Sequence, residues 1–375
     1  MFVLPAQSTT AIFTYLLGLV MLVQIRRWQP YLKDPLIVLS GVLLGYLCLS
    51  SFWSEPLVLD KARSMFVRAL STFLFLIAFA ECWRAGYLQR YFAKALVLPG
   101  IGAAIVAIGY FLVTQPDDGR MNGLGQLGAH VIAGLMFGVL LIVLLQTLRL
   151  DHSPLWRGIA AFAGFCFVTA LVLTFSRNAW ISSISGLLVF MAASNLRSRK
   201  QFLVVLGGLL VLGVTAGWLL LATESGREWL LPRGDSFRPL IWSTIFDRVW
   251  LQQPVFGLGI LTPDDVVNGA FTHPHPHSMY LAVLYQGGLV GLGLFAALIS
   301  LVVREFWQRF DEPASALALG VLTVGLASYL LDGHELVDRI GETWMLFWLP
   351  VAFSLALRTP PTRGPSAYPT LPDPS

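Results

Sequence analysis

Apolar residues in this chain come in long unbroken runs. The runs fall near 8–24, 35–53, 66–82, 92–113, 127–148, 157–175, 178–194, 202–222, 279–302, 313–331 and 343–357, with short islands of charge between them. A hydrocarbon core of ~30 Å is crossed by a helix of ~20 apolar residues rising 1.5 Å per residue. The pattern therefore predicts an all-α polytopic membrane protein with about eleven transmembrane helices. The stretch 157–194 is interrupted at Ser176-Arg177-Asn178. A single helix of that length would reach ~57 Å, so two helices joined by a tight turn are expected.

One long hydrophilic segment, about 223–278, breaks the series. Within it Pro239 suits a first helical position. Leu240, Ile241, Ile245, Val249 and Trp250 then form an apolar face at helical spacing, which predicts an amphipathic helix that lies on the bilayer or caps a cavity. The last residues are proline-rich and predict a disordered tail. The expected organisation is eight transmembrane helices over 1–222, an external loop over 223–278, three more helices over 279–357, and a cytoplasmic tail over 358–375. No positively charged segment precedes the first apolar run, so no cleavable signal is expected.

Composition sharpens this picture. The chain has 375 residues, of which 56% are hydrophobic and 12% charged. Soluble domains carry about 25% charged residues, so a soluble enzyme is excluded. A net charge of +4 invites a nucleic-acid reading, but the basic residues sit at helix ends and not on one patch, so no nucleic-acid partner is expected. Cys48, Cys82 and Cys166 lie in or beside apolar runs with no paired spacing, which gives no disulfide framework and no zinc site.

Charge also orients the chain. One set of short loops holds Arg26, Arg27, Lys33, Arg84, Arg90, Lys94, Arg149, Arg157, Arg197, Arg199, Lys200, Arg304, Arg309, Arg358 and Arg363; the other holds Lys61, Arg63, Arg120, Arg177 and Arg339. The basic-rich side is cytoplasmic by the positive-inside rule. That places the N-terminus and the 223–278 loop outside and the C-terminus inside.

Three features with chemical potential fall on the external side. Arg177 sits between two spans, where a guanidinium is costly and an anion ligand is one explanation, a snorkelling or turn-capping arginine another. Arg238 opens the amphipathic helix, where side chain and helix dipole both favour an anion; a solvated loop arginine is the alternative. The segment Thr272-His273-Pro274-His275-Pro276-His277-Ser278 holds three histidines before a span. The prolines favour an extended chain in which neighbouring imidazoles need not converge on one metal ion, whereas a neutral imidazole accepts a proton near neutral pH; a purely structural role is the alternative. Arg120 is a further anion candidate on the same side. Arg68 and His130 lie within spans, as supporting groups or as partners of other buried residues. Asp332, His334, Glu335, Asp338 and Arg339 form a charged loop expected to be a solvated turn.

These motifs together resemble the O-antigen ligase and polymerase-like membrane glycosyltransferases. Ser176-Arg177-Asn178-Ala179-Trp180 is similar to that family's serine-arginine-small-alanine-tryptophan signature. Arg238 with Leu240-Ile241-Trp242, then Gln253-Pro254-Val255-Phe256-Gly257-Leu258-Gly259, resembles its loop pattern. His275-Pro276-His277-Ser278-Met279-Tyr280-Leu281 and Gln286-Gly287-Gly288-Leu289-Val290-Gly291 resemble the segments that follow, and Ser51-Phe52-Trp53-Ser54 and Gly119-Arg120 fit weaker positions. Ser278 stands where the family has asparagine. The family often has twelve helices, so one N-terminal helix would be missing here, or a twelfth is present.

The resemblance implies a donor glycan on undecaprenyl diphosphate, presented at the periplasmic face of the bacterial inner membrane. An acceptor hydroxyl, on lipid A-core or on another glycan, would attack the anomeric carbon. By resemblance Arg177 and Arg238, helped by Arg120, bind the diphosphate, and His277 is the base, with His275, Arg68 and His130 supporting. Arginines in place of a divalent ion imply no metal and no cofactor. Ligation to lipid A-core is preferred over polymerisation of repeat units; an anion transporter is the alternative from another class.

Overall fold

A computed structural model describes residues 28–196, 198–223, 237–268 and 271–358, together with residue 18. The first expected span, 8–24, the loop section 224–236 and the tail after 358 lie outside the described residues. The remainder is a helical bundle: α1 (Pro35–Leu49), α2 (Leu59–Arg84), α3 (Tyr87–Thr114), α4 (His130–Leu150), α5 (Pro154–Leu173), α6 (Arg177–Asn195), α7 (Arg199–Ala222), α8 (Arg238–Gln252), α9 (Met279–Gln308), α10 (Pro313–Ser328) and α11 (Leu349–Arg358), the last entered through a π-helical turn, Trp344–Trp348. Between α8 and α9 lies a two-stranded antiparallel ribbon, β1 (Val266–Asn268) and β2 (Phe271–His273).

Every apolar run from 35–53 onward coincides with a helix. Among the described residues six of these helices, α1 to α5 and α9, are long and apolar enough to cross a membrane, and α10 and α11 are shorter apolar helices. The chain is thus an all-α membrane protein, and the total of eleven or twelve crossings remains an expectation.

Local chemistry explains the boundaries. Asp34 caps α1, accepting from Leu36 N at 2.8 Å, and Ser153 caps α5. Both helices begin with proline, whose missing N–H costs nothing in the first turn. Ser176 Oγ accepts from Ala179 N and starts α6, so the break at Ser176 is a real turn between two helices.

Small residues let the helices approach closely. Gly186 of α6 faces α10 so tightly that a Cβ there would lie 2.6 Å from Gly320 O; one on Gly134 of α4 would lie 2.6 Å from Ala179 Cβ.

Ion pairs and side-chain bonds sort the helix ends into two groups. At one end Arg358 bonds Asp34 and Glu305, both at 2.9 Å, and Arg309 also pairs with Glu305. Lys94 pairs with Asp151 at 2.6 Å, Arg149 with Asn195 and Ser194 O, and Arg199 with Gln308 O. These are members of the basic-rich set. Arg120, Arg177, α8 and the histidine segment gather at the opposite end.

Candidate functional site

The turn after α10 organises that opposite end. Its backbone carbonyls receive three separate parts of the chain. Asn178 Nδ2, next to Arg177, donates to Ser328 O at 3.4 Å. Ser278 Oγ and Met279 N, next to His277, donate to Tyr329 O at 3.2 and 3.1 Å. Arg238 Nη2 itself donates to Leu331 O at 3.2 Å. One residue further, Asp332 Oδ1 lies 3.7 Å from His277 Nδ1. Arg238, His277 and the Arg177 turn, separated by up to 100 residues of chain, are thus tethered to the five residues 328–332.

Each group is held by its neighbours. Ser176 caps α6, Ala179 is buried against Gly134, and Trp180 Nε1 donates to Leu171 O at 2.9 Å across the turn. Arg177, half-buried, occupies the first position of α6, where helix dipole and guanidinium both favour an anion. Arg238 occupies the same position in α8, and its Nε is buried with no partner among the described residues; an unpaired buried donor is costly unless a ligand completes it. The face Ile241, Ile245, Val249 of α8 packs on Leu284 and Tyr285 of α9, while Leu240 and Trp250 of the expected apolar face are exposed. Trp242 Nε1 donates to Pro276 O at 3.1 Å, clamping α8 to the histidine segment.

His277 has φ 51°, a left-handed conformation uncommon outside glycine. Its N–H donates to His275 Nδ1 at 3.3 Å, and the two rings lie 4.0 Å apart. The segment is therefore not a chain of divergent imidazoles: alternate residues share a side, and the left-handed turn at His277 folds its ring back on His275. Ser278, in place of asparagine, keeps a firm hydrogen bond through Tyr329 O.

The charged loop 332–342 is not the solvated turn expected. Leu336 and Val337 are buried in it, and Arg68 of α2 reaches Glu335 Oε2 at 3.0 Å and Asp338 Oδ1 at 3.7 Å. Arg68 is thus the cation of a partly buried ion cluster. Burial and then the neighbouring Glu335 charge hold the Asp338 carboxyl well above the ordinary carboxylate range. Burial would likewise raise Asp332, but the bond to His277, the Gly333 N–H and the nearby imidazoles outweigh it and hold Asp332 below the ordinary carboxylate range. Burial, then the neighbouring His277 and His334, lowers His275 to about 4.

Arg120 is not tied to this turn by any bond to Arg238 or His277 among the described contacts. Its Nη1 lies 3.0 Å from His130 Nε2, which must then be the acceptor. His130 is the first residue of α4 and so sits at a span end rather than inside one. Met121 N donates to Leu173 O at 2.9 Å, which brings the Arg120 loop beside the Arg177 turn.

The remaining motifs brace the site. Gly288 (φ 61°, ψ −160°) interrupts α9. The freed groups pair with the proline-glycine loop: Leu289 N donates to Pro254 O, Val290 N to Val255 O, Leu258 N to Tyr285 O and Gly259 N to Gln286 O. Ser50 and Ser54 hydroxyls accept from Ile260 N and Leu261 N, and Trp53 Nε1 donates to Gly257 O. A cavity of about 880 Å³ opens between α1, the end of α8 and this loop, with Tyr46, Trp53, Arg248, Gln252, Phe256 and Tyr285 in its wall. None of Arg177, Arg238 and His277 lines it; the charges and imidazoles converge elsewhere, at residues 328–332.

Sequence reasoning missed Asp332, Glu335 and Asp338. The signal was available: four acids and a histidine between two apolar helices are costly beside a membrane unless paired.

Comparison with known proteins agrees with the motifs. Residues 161–296 match the family described as O-Antigen ligase, a stretch that runs from before Ser176 to beyond Gly291. An O-antigen ligase of Pseudomonas aeruginosa is 28% identical over 343 residues, 90% of this chain and 82% of that protein. A chain from a solved structure described as "Structural coordination of polymerization and crosslinking by a peptidoglycan synthase complex" shares 18% identity, covering 86% of this chain and 95% of its own, with a TM-score of 0.42.

Proposed function

We propose that this chain, which carries the O-antigen ligase family match over 161–296, is a membrane glycosyltransferase. It moves a glycan from undecaprenyl diphosphate to a hydroxyl of a lipid A-core acceptor. The site faces the periplasm at the outer surface of the bacterial inner membrane. The helices of residues 28–222 and 279–357 anchor the segment between them, which lies on the external side, and the chain beyond 358 lies on the cytoplasmic side.

The observation that carries the reading is the shared tether of Arg238, His277 and the Arg177 turn at residues 328–332. A polyprenyl tail confines the diphosphate to headgroup level. Arg177 and Arg238 meet it there, with Arg120 beside the Arg177 turn. Guanidinium groups stay charged and bind phosphate oxygens in pairs, and they stabilise the negative charge that grows on the diphosphate as it leaves.

His277 takes the proton of the acceptor hydroxyl as its oxygen bonds the anomeric carbon. The carbon–oxygen bond to the diphosphate breaks, and the lipid diphosphate departs with the electron pair. Asp332 fixes the imidazole and stabilises its protonated form, while His275 backs it. Arg68 holds the 332–338 loop through Glu335 and Asp338, and His130 orients Arg120. The two guanidinium groups supply the charge that a divalent ion would otherwise supply, so transfer proceeds in a chelator.

The test is reconstituted transfer with lipid-diphosphate-linked glycan and lipid A-core in EDTA. Ligated product is expected from the wild type. Arg177→Ala, Arg238→Ala and His277→Ala each lower turnover by orders of magnitude while the protein stays folded. Near-wild-type turnover in all three removes the mechanism. Glycan oligomers from donor alone would make the protein a polymerase, and anion flux without transfer a transporter.

A further inference from the structure

A set of metal-ligating side chains lies beside the proposed base. His275, His277 and Asp332 each offer one donor atom, and these atoms lie within 4.8 Å of one another. The His277 Nδ1 to Asp332 Oδ1 separation is 3.7 Å. His334 stacks on His275 at 4.4 Å with the rings 13° apart and adds an imidazole beside the three.

The donors come already supported. Gly333 N–H donates to Asp332 Oδ1 at 2.9 Å. The Ser278 and Met279 bonds to Tyr329 O fix the backbone at His277. Among the described residues the hydrogen bond at the His275 ring, from His277 N–H to Nδ1, is long at 3.3 Å and easily given up when the ring binds an ion.

We propose that His275, His277 and Asp332 form an inhibitory site for a zinc-like transition-metal ion. Two imidazoles and a carboxylate suit zinc, whereas calcium and magnesium demand oxygen donors. Zinc–ligand bonds of about 2.0–2.2 Å put the donors of a tetrahedral site about 3.3 Å apart. Donors within 4.8 Å of one another therefore reach that spacing by closing at most about 1.5 Å. Three protein ligands leave a fourth position open. The inhibitory consequence rests on the proposed function: an ion on Nδ1, the nitrogen that faces Asp332, confines the ring's own proton to Nε2, which then cannot accept one from the hydroxyl.

The binding half of the test needs neither donor nor acceptor. Purified full-length protein, stripped with chelator, is titrated with Zn²⁺ by calorimetry and with Co²⁺ by its visible spectrum. One ion per chain is expected, with affinity at least tenfold lower in His275→Gln and in Asp332→Asn, both of near-native shape. Absence of saturable one-to-one binding to the wild type overturns the site, as does binding that neither substitution weakens. In the transfer assay, saturating Zn²⁺ is expected to abolish turnover and EDTA to restore it. Zinc bound with turnover undiminished, or turnover that requires zinc, overturns inhibition. If the protein transfers no glycan at all, the proposed function falls while the ion titration still decides the site.

Discussion

Asp332→Asn isolates the step from a placed imidazole to a working base. The substitution preserves shape and leaves an oxygen to accept from Gly333 N–H, so it removes charge and little else. In the wild type the carboxylate lies 3.7 Å from His277 Nδ1, with the two side chains 29% and 31% exposed. At that distance an imidazolium–carboxylate pair is worth about 4 kcal/mol at an effective dielectric of about 20 and about 1 kcal/mol in water. The partial exposure places the interaction between these limits, near ~2 kcal/mol, or roughly thirtyfold in rate. Asp332 is a positioning residue that touches no substrate in the proposed reaction. Steady-state transfer should therefore show kcat reduced about thirtyfold with the donor KM within about twofold. A kcat within threefold of wild type refutes the pairing. An unchanged kcat with a raised KM refutes it differently, by making Asp332 part of donor binding.

Two further substitutions test the scaffold. Gly257 has φ 73°, and a Cβ there would stand 2.6 Å from Gly287 N and 2.7 Å from Gln286 C; Gly257→Ala should cost about 1–2 kcal/mol for the left-handed backbone and about 1–3 for overpacking. A melting temperature lowered by several degrees is expected, whereas Gly109→Ala, with open space around it, should be neutral or slightly stabilising; equal effects would contradict the close approach of loop and kink. Arg68→Met should destabilise by about 1–3 kcal/mol, less than the 3–5 of a fully buried pair because Glu335 is 36% exposed, and Glu335→Gln in the same chain should recover part of the loss. Purely additive losses in thermal unfolding would mean that the two residues do not interact.

Much of the candidate site was legible as residue types. Arg177, Arg238 and His277 were read from motif and position, and the structure tethers their segments to one turn. The four acids between two apolar helices signal that some of them are paired, but which one meets His277 is not legible, because the partner lies in a distant segment. Arg68 was visible as an intramembrane cation, but its partner Glu335 is 267 residues away, beyond any local pattern. The prolines of the histidine segment predict an extended chain; the left-handed backbone at His277, whose ring lies against His275, is flanked by the bonds of Trp242 to Pro276 O and of Ser278 to Tyr329 O, which no local pattern predicts.

What the sequence by itself determined is the partition of the chain: which segments are apolar enough for a bilayer, where they break, and which ends carry the basic residues. Those properties are sums over neighbouring residues, since each span is selected by its own transfer free energy. What only the tertiary structure decided is which loops meet. That choice depends on small residues such as Gly186 and Gly320 that let α6 and α10 pack closely, and on carbonyls at the end of α10 that draw in donors from three distant segments. Such pairings are set by the geometry of packed helices and leave no periodic trace along the chain.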